Sequence, residues 1–289
     1  MRKINEECGV FGIISENDMP CVHIAATALL ALQHRGQEGA GIAYFTDSES
    51  ASSIACRKNV GLVSDVFDNA FLAAAPQTKT ACGHVRYSTT GGNTVENTQP
   101  IVTHHSRLTF AVCHNGNITN ADALRSYMVN DRGAVFYTTN DTEIISKIIV
   151  DRIIKTGSLE KSVVDLLGTI EGAYSLVIMT RDKLIVARDP NGFRPLCIGR
   201  LGDATVAASE TCAFDSIGAT YVRDVKPGEI CCFDRSGKCE SYFVKPGKRS
   251  LCVFELIYFA RPDSFIDGMS VYRARLEMGK ALARQCPTE

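Results

Sequence analysis

Short runs rich in apolar and β-branched residues, bounded by Gly, Pro, Asn and Asp, predict strands along most of the chain. In the first half they lie near Val10–Ser15, Gly41–Phe45, Ser53–Arg57, Ala81–Arg86 and Leu108–His114. In the second half they lie near Tyr174–Met179, Leu184–Arg188, Ala204–Ala208, Thr220–Val225 and Glu229–Phe233. Apolar residues at helical spacing predict helices over Cys21–Gln33, Ala121–Val129, Thr142–Lys155, Leu159–Leu167 and Val271–Arg284. The first puts Val22, Ala25, Ala26, Leu29 and Leu32 on one face, and the third does the same with Ile145, Ile148, Ile149 and Ile153. Methionine and other large apolar residues at this spacing, as in Val271–Arg284, read as core. Strands cluster and helices come at intervals instead of alternating strictly, which favours two packed sheets over a doubly wound parallel sheet.

The chain has 289 residues, enough for one large or two modest domains with ample core. The stretch Lys245-Pro246-Gly247-Lys248-Arg249-Ser250 combines breakers with charge and is the one domain boundary suggested by pattern. A net charge of −1 gives no electrostatic footprint for nucleic acid or a membrane surface. Twelve cysteines without a secretory leader point to a reducing, cytoplasmic setting. None is spaced Cys-x-x-Cys, which leaves zinc without support. No apolar run approaches the ~18 residues of a spanning helix.

Cys8, in Glu6-Glu7-Cys8-Gly9-Val10-Phe11-Gly12, is the first candidate for chemistry. If residues 1–7 were removed, it would carry both a thiol and a free α-amine. An α-amino group titrates near ~7.7–8.0, so part of it is an unprotonated base at neutral pH, able to take the thiol proton without a histidine. As translated, that nitrogen is an amide and is not basic, so the chemistry requires processing. The competing reading is a small buried hydrophobe on a first strand.

Further motifs follow in order: Gln33-His34-Arg35-Gly36-Gln37-Glu38-Gly39-Ala40-Gly41, Gly83-His84-Val85-Arg86-Tyr87-Ser88-Thr89, Cys113-His114-Asn115-Gly116-Asn117 and Asp141-Thr142-Glu143. Together they resemble the glutaminase half of the class II glutamine amidotransferases, the N-terminal-nucleophile hydrolases. Asp189-Pro190-Asn191-Gly192-Phe193-Arg194-Pro195-Leu196, Ala208–Asp215 and Tyr258-Phe259-Ala260-Arg261-Pro262-Asp263-Ser264 narrow the likeness to the amidophosphoribosyltransferase family, which opens purine biosynthesis. The resemblance runs from about Glu6 to Gly279. It implies an α+β fold, a four-layer αββα sandwich with two mostly antiparallel sheets between helical layers, plus a partial segment of a phosphoribosyltransferase domain. The implied domains are a propeptide at 1–7, a glutaminase domain at 8–245 and the start of a truncated transferase domain at 246–289.

The resemblance implies that glutamine gives glutamate and ammonia through a Cys8 thioester. Asn115 and Gly116 would donate to the oxyanion. Asn-Gly is also the commonest two-residue hairpin signal, yet Ile118–Leu124 reads as the start of a helix, with Asn120 in the capping position. Arg86, beside Tyr87, would grip the α-carboxylate, whose two oxygens suit a planar guanidinium. An arginine ending a strand is otherwise simply solvated. Arg35 would lie near the site in support. Asp141 would meet the substrate's ammonium, and it also suits the first turn of a helix behind an Asn140/Glu143 capping-box-like pair. The family more often has serine where Asn140 stands, a departure that loosens the expected geometry. His34, His84 and His114 read as structural hydrogen-bonders.

Cys252 matches the first ligand of an iron–sulfur cluster found in one branch of the family, but a cluster needs four thiolates. No cofactor is expected in this chain as it stands; Mg2+ and a [4Fe–4S] cluster would belong to the full-length protein. The same holds for phosphoribosyl pyrophosphate, because no paired acidic residues followed by a Gly/Thr-rich loop occur here. A homo-oligomer is expected. Two alternatives stay open: another class II amidotransferase such as hexosamine synthase, which would lack the Asp189–Leu196 and Tyr258–Ser264 stretches, and a non-catalytic regulatory or assembly domain with Cys8 never unmasked.

Overall fold

The computed structural model describes residues 7–46, 54–87, 92–244 and 247–287. Its strands, in chain order, begin with β1 (Gly9–Met19), β2 (Gly39–Phe45), β3 (Ile54–Val60), β4 (Thr78–Arg86), β5 (Ile101–His105) and β6 (Leu108–Ile118). They continue with β7 (Gly172–Met179), β8 (Lys183–Arg188), β9 (Cys197–Leu201), β10 (Ala204–Ala208), β11 (Thr220–Asp224), β12 (Glu229–Asp234) and β13 (Cys239–Phe243). The helices are α1 (Cys21–Ala31), α2 (Val63–Val66), α3 (Asn69–Ala74), α4 (Ala121–Arg132), α5 (Asp141–Thr156), α6 (Leu159–Leu167), α7 (Cys212–Ile217) and α8 (Val271–Gln285).

One sheet has the order β11-β9-β10-β1-β4-β2-β3 and the other β13-β12-β8-β7-β6-β5, with neighbouring strands antiparallel throughout. Three buried clusters show how they stack. Phe11, Ile13, Ile42 and Val85 pack with Val22, Ala25 and Leu29 of α1 and with Phe214 of α7. Val112, Leu176 and Ile185 pack with Ile145, Ile148 and Ile149 of α5 and with Val163 and Leu166 of α6. Between the sheets lie Val10, Ile14, Cys82, Cys113, Val177 and Leu184. Alternate residues of β1 therefore serve different layers, Phe11 and Ile13 facing helix and Val10 and Ile14 facing the second sheet. Both faces are covered, so the central strands read as apolar runs and not as alternating ones. This is the expected αββα sandwich.

All ten expected strands are present, the third described only from Ile54 onward, and β5, β9, β13 and a two-residue pair at Phe265–Ile266 and Met269–Ser270 are additions. The anticipated boundary at 245/246 lies outside the described residues. Beyond it, Leu256, Ala260, Ile266 and Val271 form a small cluster of their own. One expectation fails there. In α8 only Val271 is buried, while Leu276, Met278 and Leu282 are exposed, because the helix packs mainly on a single π-helical turn at Glu255–Phe259 and a two-residue strand at Met269–Ser270. Helical spacing identifies an apolar face; it does not supply the layer that would cover it.

Candidate active site

The candidate residues gather at one end of the two sheets. Cys8 stands immediately before β1, whose Gly9 pairs with Val85 of β4, so the nucleophile lies beside the end of β4 where Arg86 sits. Val10 N–H donates to Ser209 Oγ at 2.9 Å, fixing the start of the strand. The Cys8 thiol is buried and donates to the carbonyl of Tyr87 at 3.5 Å. Burial pushes it up to about 11, so at neutral pH it is protonated and needs a base. The three histidine rings are bonded elsewhere, as expected of structural residues. His84 Nε2 meets the His114 carbonyl at 3.1 Å, and burial pushes this imidazole down to about 3. His114 Nδ1 lies 3.3 Å from Thr142 Oγ1, and His34 Nε2 lies 2.8 Å from Glu210 Oε1.

Asn115 and Gly116 lie within β6, facing Ser175 and Tyr174 of β7, and do not form a hairpin turn. The Asn115 amide is fully buried, and neither its oxygen nor its nitrogen has a hydrogen-bond partner among the described residues. An orphaned buried amide costs on the order of 1–3 kcal/mol, a cost that a hydrogen bond to a bound substrate would offset. Gly116 has φ +141°, and a Cβ there would run into the carbonyl oxygen of Ala173. No other residue type fits that close approach. Gln99 braces the strand beside them: its Oε1 accepts from His114 N–H at 2.6 Å and its Nε2 donates to His114 O at 3.2 Å.

Arg86 is buried, and burial lowers its pKa from the usual arginine value while the charges of Cys8, Glu38 and Asp141 oppose that shift. Its Nη2 donates to Gly92 O at 3.2 Å and its Nη1 reaches Asn93 Oδ1 at 3.5 Å. Tyr87 contributes its carbonyl to Cys8, and its neighbours Ser88 and Thr89 lie outside the described residues. Asp141 opens α5. Burial raises its carboxyl, but the His114 ring and the N–H groups of Ile118 and Thr142 more than offset this, and the net shift is downward. It is therefore an anion at neutral pH, suited to an ammonium.

Local chemistry around Asp141 departs from the capping-box pattern. Asn140 does cap α5, accepting from Thr142 N at 2.9 Å, and its Nδ2 donates to Asn97 O at 2.7 Å. Glu143 does not reach back to Asn140; its carboxylate takes the N–H groups of Tyr137 and Thr138 instead. The site is thus tied to the 97 and 137–138 loops. Asn120 also differs from expectation. It precedes α4 but makes no capping bond, because its side chain joins Thr169 O and Glu171 N.

Arg35 supports the site without its guanidinium being open to a ligand. Nε donates to Cys8 O at 3.0 Å, Nη1 to Glu210 at 2.5 Å and to Glu255 at 2.9 Å, and Nη2 to Glu255 at 2.8 Å. Glu210 and Glu255, with Gln99, are the residues sequence reasoning missed. Glu210 lay inside the Ala208–Asp215 motif, and its signal was an acidic residue in Ser209-Glu210-Thr211 directly after the apolar strand Ala204–Ala208.

Cys252 is half-buried, and among the described residues no group of three or more His, Cys, Asp or Glu side chains could hold a metal ion. One thiol does not fit a four-thiolate cluster. No helix among the described residues is long and apolar enough to cross a membrane.

Comparison with known proteins agrees with this geometry. Residues 84–216 match the model of a glutamine amidotransferase domain. The whole chain is 44% identical to an amidophosphoribosyltransferase of Bacillus subtilis, covering 59% of that protein, and 98% of it is 44% identical to one of Archaeoglobus fulgidus, covering 60%. Over essentially its whole length the chain is similar to amidophosphoribosyltransferases. A solved structure of glutamine phosphoribosylpyrophosphate amidotransferase from B. subtilis, complexed with ADP and GMP, superposes with a TM-score of 0.86 at 42% identity, over 98% of this chain and 59% of that one. The chain thus spans about three-fifths of the length of these relatives, and the amidotransferase-domain match falls on the part from His84 to Ser216.

Proposed function

We propose that the chain hydrolyses glutamine to glutamate and ammonia, as the ammonia-supplying part of an amidophosphoribosyltransferase of purine biosynthesis. The observation that carries this reading is the buried, partnerless Asn115 amide beside Gly116, on the strand whose His114 ring and Ile118 N–H meet Asp141, which together with Arg86 acts electrostatically on Cys8. In this mechanism the free α-amine of Cys8 takes the Sγ proton, and the thiolate attacks the glutamine side-chain carbonyl. The resulting oxyanion is met by Asn115 Nδ2 and the Gly116 N–H. The amine returns its proton to the leaving nitrogen, ammonia departs, and water hydrolyses the thioester to glutamate. Arg86 pairs with the substrate's α-carboxylate and Asp141 with its α-ammonium. Phosphoribosyl pyrophosphate, Mg2+ and an iron–sulfur cluster belong, on this reading, to the longer enzyme.

The test compares a chain expressed as Met-Cys8, trimmed by the host aminopeptidase, with one whose cleavage after Glu7 is blocked. Glutamate release by the trimmed chain and not by the blocked one is the expected result. Equal turnover by the blocked chain would exclude the terminal amine as base.

A further inference from the structure

The peptide bond before the candidate nucleophile is enclosed by a ring of four charged side chains. Arg194 Nη2 lies 2.9 Å from Glu7 Oε1, and Arg194 Nη1 lies 3.9 Å from Glu255 Oε1. Glu255 receives both Nη atoms of Arg35, whose Nε holds the Cys8 carbonyl. The path Glu7–Arg194–Glu255–Arg35–Cys8 therefore closes around the Glu7–Cys8 bond, gripping the side chain on one side and the main chain on the other.

Arg194 is itself held firmly in place. Its N–H donates to Asp189 Oδ2 at 3.3 Å, and its carbonyl accepts from Arg188 Nε at 2.7 Å and Ser175 Oγ at 3.3 Å. Its side chain is only 12% exposed, and its Nε and Nη1 have no hydrogen-bond partner among the described residues. Glu7 is the carboxylate within hydrogen-bonding distance of this guanidinium, and a mostly buried charge pair of this kind is rarely without consequence. Yet the glutaminase reading requires that Glu7 be removed, so the pair serves the chain before processing.

We infer that Arg194 is a positioning residue for that processing: by holding Glu7 it sets the Glu7–Cys8 bond against the Cys8 thiol and selects glutamate before the cysteine. This rests on the reading that Cys8 acts with a free α-amine. In the step itself, Cys8 Sγ attacks the Glu7 carbonyl carbon. The carbon–nitrogen bond breaks, the thiol proton passes to the nitrogen, and a thioester joins Glu7 to Sγ. One water then hydrolyses that thioester, leaving a carboxylate on Glu7 and a free thiol and amine on Cys8. The rigid ring supplies the alignment such an intramolecular attack needs.

The experiment follows the intact mass of the purified 289-residue chain over time. The wild type should lose residues 1–7 without added peptidase. Glu7→Gln and Arg194→Gln should each slow conversion at least tenfold. Arg194→Lys should recover part of the rate, and the Glu7→Gln/Arg194→Gln double variant should be no slower than the slower single one, since both remove one interaction. Thermal melts of each precursor separate slow conversion from misfolding. A wild-type chain that keeps its full mass, an Arg194→Gln chain that converts at the wild-type rate, or strictly additive effects would each overturn the proposal. Arg194→Gln supplied as Met-Cys8 should still be labelled at Cys8 by a glutamine-mimicking electrophile; lost labelling would place Arg194 in the glutamine site instead and also overturn it. Should the trimmed wild type release no glutamate, the glutaminase reading fails, while the conversion rates still judge the ring.

Discussion

Asn115→Ala separates activity from stability in a way that follows from the structure. The Asn115 amide is fully buried and makes no hydrogen bond among the described residues. Its removal therefore relieves a desolvation cost of about 1–3 kcal/mol. Lost packing of a few atoms opposes that gain by about 1–2 kcal/mol, so the net change stays near ~1 kcal/mol in either direction. For a domain of this size that is a melting shift of about 2–4 °C at most. Catalysis should respond very differently, since losing one oxyanion donor costs ~10²–10³ in kcat with little change in KM. Asn140→Ala is the control, as it forfeits a helix cap and the bond to Asn97 O. It should lower the melting temperature by about 4–8 °C, on the order of 2 kcal/mol. Measuring glutamate release and thermal melts on both variants decides the matter. If Asn115→Ala kept wild-type kcat, or melted as early as Asn140→Ala, the amide would be structural and the oxyanion assignment wrong.

Arg86→Ala should raise KM for glutamine at least tenfold with a smaller fall in kcat, because the α-carboxylate changes little during reaction; a pure kcat effect in steady-state assays would contradict that role. Glu210→Gln should destabilise the fold by about 1–3 kcal/mol at neutral pH, since it weakens the charge-assisted bonds from Arg35, Ser264 and the Arg261 N–H while Glu255 still pairs with Arg35. Burial raises the Glu210 carboxyl, but Arg35 and His34 more than offset this and bring it from 4.5 down to about 2. Its contribution is thus complete above pH 4.5 and lost as pH falls towards 2, so the melting difference from wild type should narrow over that window. A difference independent of pH would show that Glu210 acts through shape alone.

The layers of this fold were legible because the strongest apolar periodicities belong to elements covered on the side the pattern names. Val22, Ala25, Ala26, Leu29 and Leu32 are all buried against the first sheet, and Ile145, Ile148, Ile149 and Ile153 against the second. The additional strands β5, β9 and β13 are five residues each, too short for a pattern to separate from flanking turns. The family resemblance implied one shared site for Cys8, Arg86, Asn115, Gly116 and Asp141, but it could not show what each side chain bonds. Asn120 and Glu143 illustrate the limit, since both carry a helix-start signature and both turn to loop backbone far from the position a cap would choose.

Long-range pairing is where sequence is silent and where the site is made. Arg35 lies 175 residues from Glu210 and 220 from Glu255, and all three side chains are completely buried. One guanidinium between two carboxylates leaves an excess negative charge, which the low-polarity surroundings would not tolerate unaided. The structure offsets it with two neutral donors to Glu210, the Arg261 N–H at 2.9 Å and Ser264 Oγ at 2.7 Å, and with the Arg194 guanidinium, which approaches Glu255. These donors come from the Asp189–Leu196 and Tyr258–Ser264 stretches, the same two that narrowed the resemblance to one family. Their chemistry explains why they accompany the nucleophile. They complete the charge balance of the network that fixes the Cys8 carbonyl, so the segment beyond Gly247 is tied to the catalytic end by hydrogen bonds and not by apolar packing alone.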